Sequence, residues 1–385
     1  MKCILCDVET PRSEFSLEHI FPQSLGGALC SGDFKTRLVC RKCNSRMGLF
    51  VDAMLTKTFH SQNNMVEAAF RYFDPENLRV MPLSYLGHIK NLDLEDCYTC
   101  ELWVGPIGGL VYHRREVSNS NYDFYAGGNP IDFKKNGGEV YIFNQHQNDF
   151  WNIVFLVSTR DKFRNSKLIS GNFILTEEPD FFAEPSPEEQ AFLKKLQSIQ
   201  GKEHEVTFKV LEGYEQRFLC KFALAYGFNR LGNEFITSKY AVKLRGALWA
   251  KGQNNRDSFG VMFSGLHLNE DKWEHLAWIG VHTITLLPLQ DKLLAIIHLF
   301  GRQCMTVVIS DEPSLWQSKV IEDEVYVICP QLNVFAGPYT IEKFSRHRNG
   351  KEMIPDLRAI DIKEFDVTTL PTIYDLLDKD VADEN

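Results

Sequence analysis

The sequence predicts an α+β chain: a small cysteine-stapled N-terminal domain, then a larger mixed α+β body with antiparallel strands and a central helical pair. Three observations point there. Two Cys-x-x-Cys pairs, Cys3/Cys6 and Cys40/Cys43, bracket a polar, turn-rich stretch. Short apolar runs recur on both sides of the chain's middle, and over 78–180 several are separated by Gly-Gly, Asn-Pro or Asn-Gly-Gly signals, which is the pattern of antiparallel strands. Between them lie two long segments, 212–231 and 235–251, with apolar residues at helical spacing.

Taken in order, Ile4-Leu5 and Phe15-Ser16-Leu17 suit two short strands or a knuckle and a strand, and Gly26-Gly27 and Ser31-Gly32-Asp33 are turns. Leu38-Val39 leads into the second cysteine pair, and a helix is expected from Arg41. Met47, Phe50, Val51, Met54 and Leu55 form its apolar stripe, while Asn44, Gly48 and Asp52, four apart, share another face turned toward Glu18 and His19. A short helix is expected over 65–73. Strands are expected over 78–83, 99–104, 110–113, 139–143, 153–157 and 168–175. Ser186-Pro187-Glu188-Glu189 reads as a helix start, the helix running to about residue 200. The helical pair follows, then strands over 259–263, 279–288, 293–299, 306–309 and 324–328, and a frayed acidic tail over 378–385. The expected division is 1–60, 61–185 and 186–385, the last with a regulatory role as one reading.

With 385 residues and 44% hydrophobic content, the chain can build more than one sizeable core. No run approaches the ~20 apolar residues of a membrane span, and the first residues do not read as a signal peptide, so a cytoplasmic protein without membrane contact is expected. The net charge of −9 excludes a broadly basic nucleic-acid binder. Residues 1–60 run against that balance, with eight Lys/Arg to six Asp/Glu. Lys35, Arg37, Arg41, Lys42 and Arg46 cluster around the second cysteine pair, where they could meet phosphates or simply face solvent.

Cys3, Cys6, Cys40 and Cys43 have the spacing of two knuckles around one tetrahedral Zn²⁺. An ion with four thiolates is saturated, so this zinc is structural and chemistry needs another centre. Glu18-His19 is the candidate: an imidazole can take a proton from water, and a carboxylate can hold a divalent ion. Cys30, Cys220, Cys304 and Cys329 read as buried single thiols, and Cys97/Cys100 as chance placement in a strand. The ten other histidines lack paired metal-ligand spacing. Glu274-His275 repeats the dipeptide without the proline, the glycine turn or the cysteines.

Glu18-His19-Ile20-x-Pro22, Gly26-Gly27 and Cys40-x-x-Cys43-Asn44, in this order, make residues 1–60 resemble the HNH (ββα-metal) endonucleases of the subgroup with two cysteine pairs. The resemblance implies that His19 is the general base and that Glu18 and Asn44 hold one Mg²⁺ or Mn²⁺. It further implies that the helix from Arg41 lies along DNA, with Lys35, Arg37, Arg41, Lys42 and Arg46 near phosphates. Where the family has a bracing Asn, this chain has Lys35-Thr36-Arg37, and Thr36 is expected to orient His19 in its place. Asp52 is a further candidate ligand, against its ordinary role as a solvated or salt-bridged carboxylate. The function implied is a metal-dependent DNA endonuclease or nickase, in bacterial defence against foreign DNA alongside other proteins of such a system. A non-catalytic zinc-dependent binding module and an RNase of the same chemistry stay open. Oligomeric state is not legible.

Overall fold

The computed structural model describes residues 1–73, 80–90, 92–105, 108–117, 124–144, 149–172, 182–211, 213–268, 273–320 and 322–362. The chain divides into two compact units: 1–56 with 212–364, and 57–211 with 365–385. The N-terminal segment expected to stand alone thus shares a unit with residues more than 150 positions downstream, and the expected boundaries at 60 and 185 fall elsewhere.

In the first unit, β1 (Phe15–His19) and β2 (Lys35–Cys40) pair antiparallel, with Glu18 opposite Thr36 and His19 opposite Lys35. The helix α1 (Arg41–Met47) follows directly, as the sequence suggests. It then widens into a single π turn, Gly48–Asp52, before the short helix α2 (Ala53–Thr56). A π turn adds a residue to the repeat. The four-residue spacing that placed Asn44 and Asp52 on one face therefore does not carry through, and each finds a separate set of partners.

The second unit contains α3 (Phe59–Arg71), β3 (Ser84–Ile89), β4 (Tyr98–Val104), β5 (Leu110–Glu116), α4 (Pro130–Lys135), β6 (Glu139–Phe143), α5 (Asp149–Lys162), β7 (Lys167–Ser170), α6 (Pro187–Ile199) and β8 (Val206–Thr207). Its sheet runs β7-β6-β5-β4-β3-β8, antiparallel except for the β6–β7 pair. Ser186 caps α6 in a reciprocal capping box with Glu189, as the sequence signal requires. Residues 153–157, expected as a strand, lie within α5 instead. The β-branched run favours extended backbone only weakly. What decides is the burial alternation: Ile153 and Val157 are exposed while Val154, Phe155 and Leu156 are buried. Phe155 packs where Gly105 and Gly109 lack side chains; a Cβ on either would meet its ring at 2.0 or 2.6 Å. The strand expected over 78–83 lies instead at 84–89, and the ends of the expected 78–83 and 168–175 strands fall partly outside the described residues.

Deep in this sheet, Glu101 accepts bonds from Arg115 Nε and Nη2 at 3.1 and 2.7 Å, Trp103 Nε1 at 3.2 Å and the Gly127 amide at 3.1 Å. Burial pushes this carboxyl upward, but Arg115 and His113 outweigh it and hold it well below the usual carboxylate range.

The first unit resumes with α7 (Glu215–Leu231), α8 (Asn233–Thr237), α9 (Lys239–Trp249) and α10 (Gln253–Asp257). α7 and α9 are the expected helical pair. Its second sheet follows, from β9 (Phe263–Leu268), β10 (His282–Leu289), β11 (Lys292–Leu299), β12 (Gln303–Ser310), β13 (Glu324–Cys329) and β14 (Val334–Tyr339), in the order β14-β13-β10-β11-β12-β9 and antiparallel throughout. The strand expected over 259–263 lies at 263–268. The 378–385 tail and His146 lie outside the described residues.

One aromatic core joins the two parts of this unit. Phe34, fully buried just before β2, sits 4.9 Å from Tyr226 of α7, 5.0 Å from Tyr326 of β13 and 5.8 Å from Phe335 of β14. Phe21 meets His282 at 5.4 Å and Phe218 at 6.4 Å. Trp249 Nε1 donates to the Leu5 carbonyl at 2.7 Å, and Arg245 to that of Ile4. Burying each such phenyl ring is worth roughly 1.5–3 kcal/mol, so the zinc-knuckle segment is packed as part of a larger core.

Candidate active site

The knuckles form as spaced. The Sγ atoms of Cys3, Cys6, Cys40 and Cys43 lie within 4.8 Å of one another. Four thiolates about 2.3 Å from a tetrahedral Zn²⁺ would stand about 3.8 Å apart, so this donor set fits the ion and its chemistry selects zinc. The Cys40 amide donates to Cys3 Sγ at 3.4 Å, and the thiol of Cys43 beside it pulls the Cys3 pKa down while its own is raised by the same contact, so the two sulfurs share one proton until a metal displaces it. Among the described residues this is the single group of three or more His, Cys, Asp or Glu placed to hold a metal. Cys30, Cys220, Cys304 and Cys329 are buried, while Cys97 is exposed and Cys100 buried in β4, so those two do not form a pair facing one way.

Adjacent strand residues point to opposite sides, and β1 uses this at its end. His19 is half-buried, with its Nδ1 2.7 Å from the Gln23 side-chain amide. Burial lowers its pKa first, and the charges of Lys35 and Lys221 lower it further. The ring is therefore neutral at pH 7, the form a general base requires. An amide can present either end. The same amide atom lies nearer Nδ1 than Nε2, which is 3.4 Å away, so a flipped amide accepting from Nδ1–H would make Nε2 the nitrogen that takes a proton. Gln23 is the side chain in contact with the His19 ring, a partner that motif spacing did not reveal.

Glu18 points the other way and is 2% exposed. Its Oε1 lies 2.7 Å from Nζ of Lys221 on α7, a lysine with no exposed surface. The same ammonium donates to Asp52 Oδ1 and Oδ2 at 2.8 and 2.9 Å and to the His19 carbonyl at 3.3 Å. Burial raises the Glu18 pKa, and Lys221 offsets this only in part. Asp52 is thus a salt-bridge partner, its ordinary role. Lys221 was missed by sequence reasoning, although a lone lysine within the apolar run Phe218-Leu219-Cys220-Lys221-Phe222-Ala223 is itself a signal, since a buried ammonium demands an anion.

Asn44 Nδ2 donates to Ser16 Oγ at 2.9 Å and the Leu17 carbonyl at 2.8 Å, which ties α1 to β1. The structure therefore does not bring Glu18, Asn44 and Asp52 together around an open point: Glu18 and Asp52 enclose an ammonium, and Asn44 serves the backbone. As arranged, these side chains do not fit a divalent ion held through Glu18. Thr36, expected to orient His19, is buried opposite Glu18 and its Oγ1 accepts from the Leu38 amide; no bond to His19 forms. Arg37, Arg41, Lys42 and Arg46 are exposed. Lys35 donates to the Ala28 carbonyl, and Arg46 lies 4.6 Å over the Trp249 ring, so these two are partly engaged within the protein.

Residues 3–60 match the family model described as HNH endonuclease. This N-terminal segment therefore carries an HNH endonuclease domain, a kind of domain that supports nuclease activity and implies a nucleic-acid substrate. The match leaves residues 61–385 unaddressed. No curated protein matches the chain, nor does any solved structure. Among the described residues no helix is long and apolar enough to cross a membrane.

Proposed function

We propose that the chain is a DNA endonuclease or nickase in which His19 is the general base. The observation that carries this is the neutral, half-buried imidazole at the end of β1, inside the segment that matches the HNH family and that also carries exposed Arg37, Arg41 and Lys42. His19 Nε2 takes a proton from water, the water oxygen bonds to phosphorus, and the bond to the leaving 3′ oxygen breaks, that oxygen taking a proton from solvent. The basic side chains hold flanking phosphates without reading bases, so sequence preference is weak. The family resemblance implies Mg²⁺ or Mn²⁺ as well, which would neutralise charge on the scissile phosphate; the engagement of Glu18 with Lys221 leaves that role without its expected carboxylate, and no step here depends on it.

The test is relaxation of supercoiled plasmid with Mg²⁺ or Mn²⁺, comparing the unmutated chain with His19→Ala. Equal relaxation by both sinks the assignment. Single-stranded DNA and RNA in the same assay separate a DNase from an RNase. The resemblance also suggests defence against foreign DNA, which predicts that phage resistance of cells carrying the chain is lost with His19→Ala. A second reading, a zinc-dependent nucleic-acid-binding module without catalysis, is favoured by the enclosure of Glu18. It predicts nucleic-acid binding that His19→Ala leaves intact and no cleavage with any metal.

A further inference from the structure

We propose that Lys221 is the resident cation of this site: Glu18 and Asp52 hold its ammonium in place of a divalent metal, and through it α7 sets the end of β1 that bears His19. The inference rests on the nuclease reading only for the expectation that a metal would use Glu18.

The geometry is complete. An ammonium has three protons to donate. Here they reach Glu18 Oε1 at 2.7 Å, the Asp52 carboxylate at 2.8 and 2.9 Å, and the His19 carbonyl at 3.3 Å. Nothing of Lys221 is exposed, and its neighbours Phe218, Leu219, Cys220, Phe222, Ala223 and Leu224 are buried as well. If a divalent ion took Glu18, the ammonium would have to stay beside a second positive charge or withdraw into that apolar surround without an anion. Both are strongly unfavourable. α7 cannot easily carry the lysine away, because its buried face is fixed against Phe21 and Phe34. The π turn Gly48–Asp52 brings Asp52 to the same point, so three separate segments converge on one charge. Lys221 is a positioning residue: it touches the backbone of the base, not the phosphate. Any divalent ion that assists cleavage is then held without Glu18.

Mn²⁺ titration of the full, zinc-loaded chain, read by electron paramagnetic resonance, tests this independently of cleavage. Glu18→Gln is expected to bind Mn²⁺ as the unmutated chain does. Lys221→Met leaves two carboxylates without a cation and is expected to gain one bound Mn²⁺, which Lys221→Met/Glu18→Gln loses again. A loss of Mn²⁺ affinity in Glu18→Gln overturns the proposal, as does a folded Lys221→Met chain that gains no ion. If the variants do not fold, crystals of the unmutated chain soaked in MnCl₂ decide. Anomalous density bonded to a Glu18 oxygen overturns the proposal, and Lys221 Nζ alone at that carboxylate supports it. A chain that cleaves nothing but behaves as expected here loses the nuclease reading and keeps this one. A chain that cleaves and binds Mn²⁺ through Glu18 does the reverse.

Discussion

Phe34→Ala tests whether the zinc-knuckle segment and residues 212–364 are one folding unit. The ring is fully buried and has Tyr226, Tyr326 and Phe335 within 4.9 to 5.8 Å, with Phe222 at 6.4 Å. A buried Phe→Ala change removes apolar burial and leaves a cavity, at a cost of about 3–5 kcal/mol. The upper part of that range applies here, because the lost contacts are aromatic pairs worth roughly 0.5–1.5 kcal/mol each beyond area. At about 1.36 kcal/mol per tenfold, the opening equilibrium rises by roughly three to three and a half orders of magnitude. Hydrogen exchange read by mass spectrometry locates the effect. Amides of β10 and β11, more than 240 residues from Phe34 in the sequence, should lose protection together with those of β1 and β2. If protection falls in residues 1–56 while β10 and β11 are unchanged, the shared core is refuted and the N-terminal segment is an independent domain after all.

Other outcomes follow from the same contacts. Cys40→Ser should lower the zinc content measured by native mass spectrometry from one ion per chain and destabilise the first unit, because zinc binding is folding free energy for a knuckle. His19→Ala should lower cleavage about 10²–10⁴-fold, the usual contribution of a general base, with unchanged circular dichroism. Because the folded His19 pKa lies below its ordinary value, the neutral base persists as pH falls past 6.5; the acid limb of the pH–rate profile should therefore lie below that value, and Gln23→Ala should move it. Glu101→Gln should cost the second unit about 3–5 kcal/mol in urea melts, since it removes the carboxylate charge that the buried Arg115 faces. The Glu101 pKa is depressed on folding, so its stabilisation is present above the ordinary carboxylate pKa and is lost as pH falls through the lower, folded value; the gap between Glu101→Gln and the unmutated chain should narrow in acid.

The parts of this protein legible in its sequence are those whose geometry is local. Two Cys-x-x-Cys knuckles carry their own turn chemistry, so their spacing alone predicts the thiolate cluster, although closing it needs β2 to return beside the first knuckle. Ser186 and Glu189 specify a helix start within four residues. The apolar periodicity of α7 and α9 predicts the central helical pair. Spacing failed where the backbone changed its repeat, as at the π turn that separates Asn44 from Asp52, and where a β-branched run, 153–157, was recruited into a helix by the shape of the sheet it covers.

Motif order alone determined that residues 3–60 belong with the HNH endonucleases, and it singled out His19 as the candidate base. What the fold decided is which side of β1 faces which partner. His19 reaches Gln23 four residues away, but Glu18 meets a lysine whose Nζ also bonds the His19 carbonyl from 202 residues along the chain. Pairing of that kind has no periodic trace in a sequence. It exists because an ammonium buried in an apolar helix face must find an anion, and the carboxylates within reach are those expected to bind a metal.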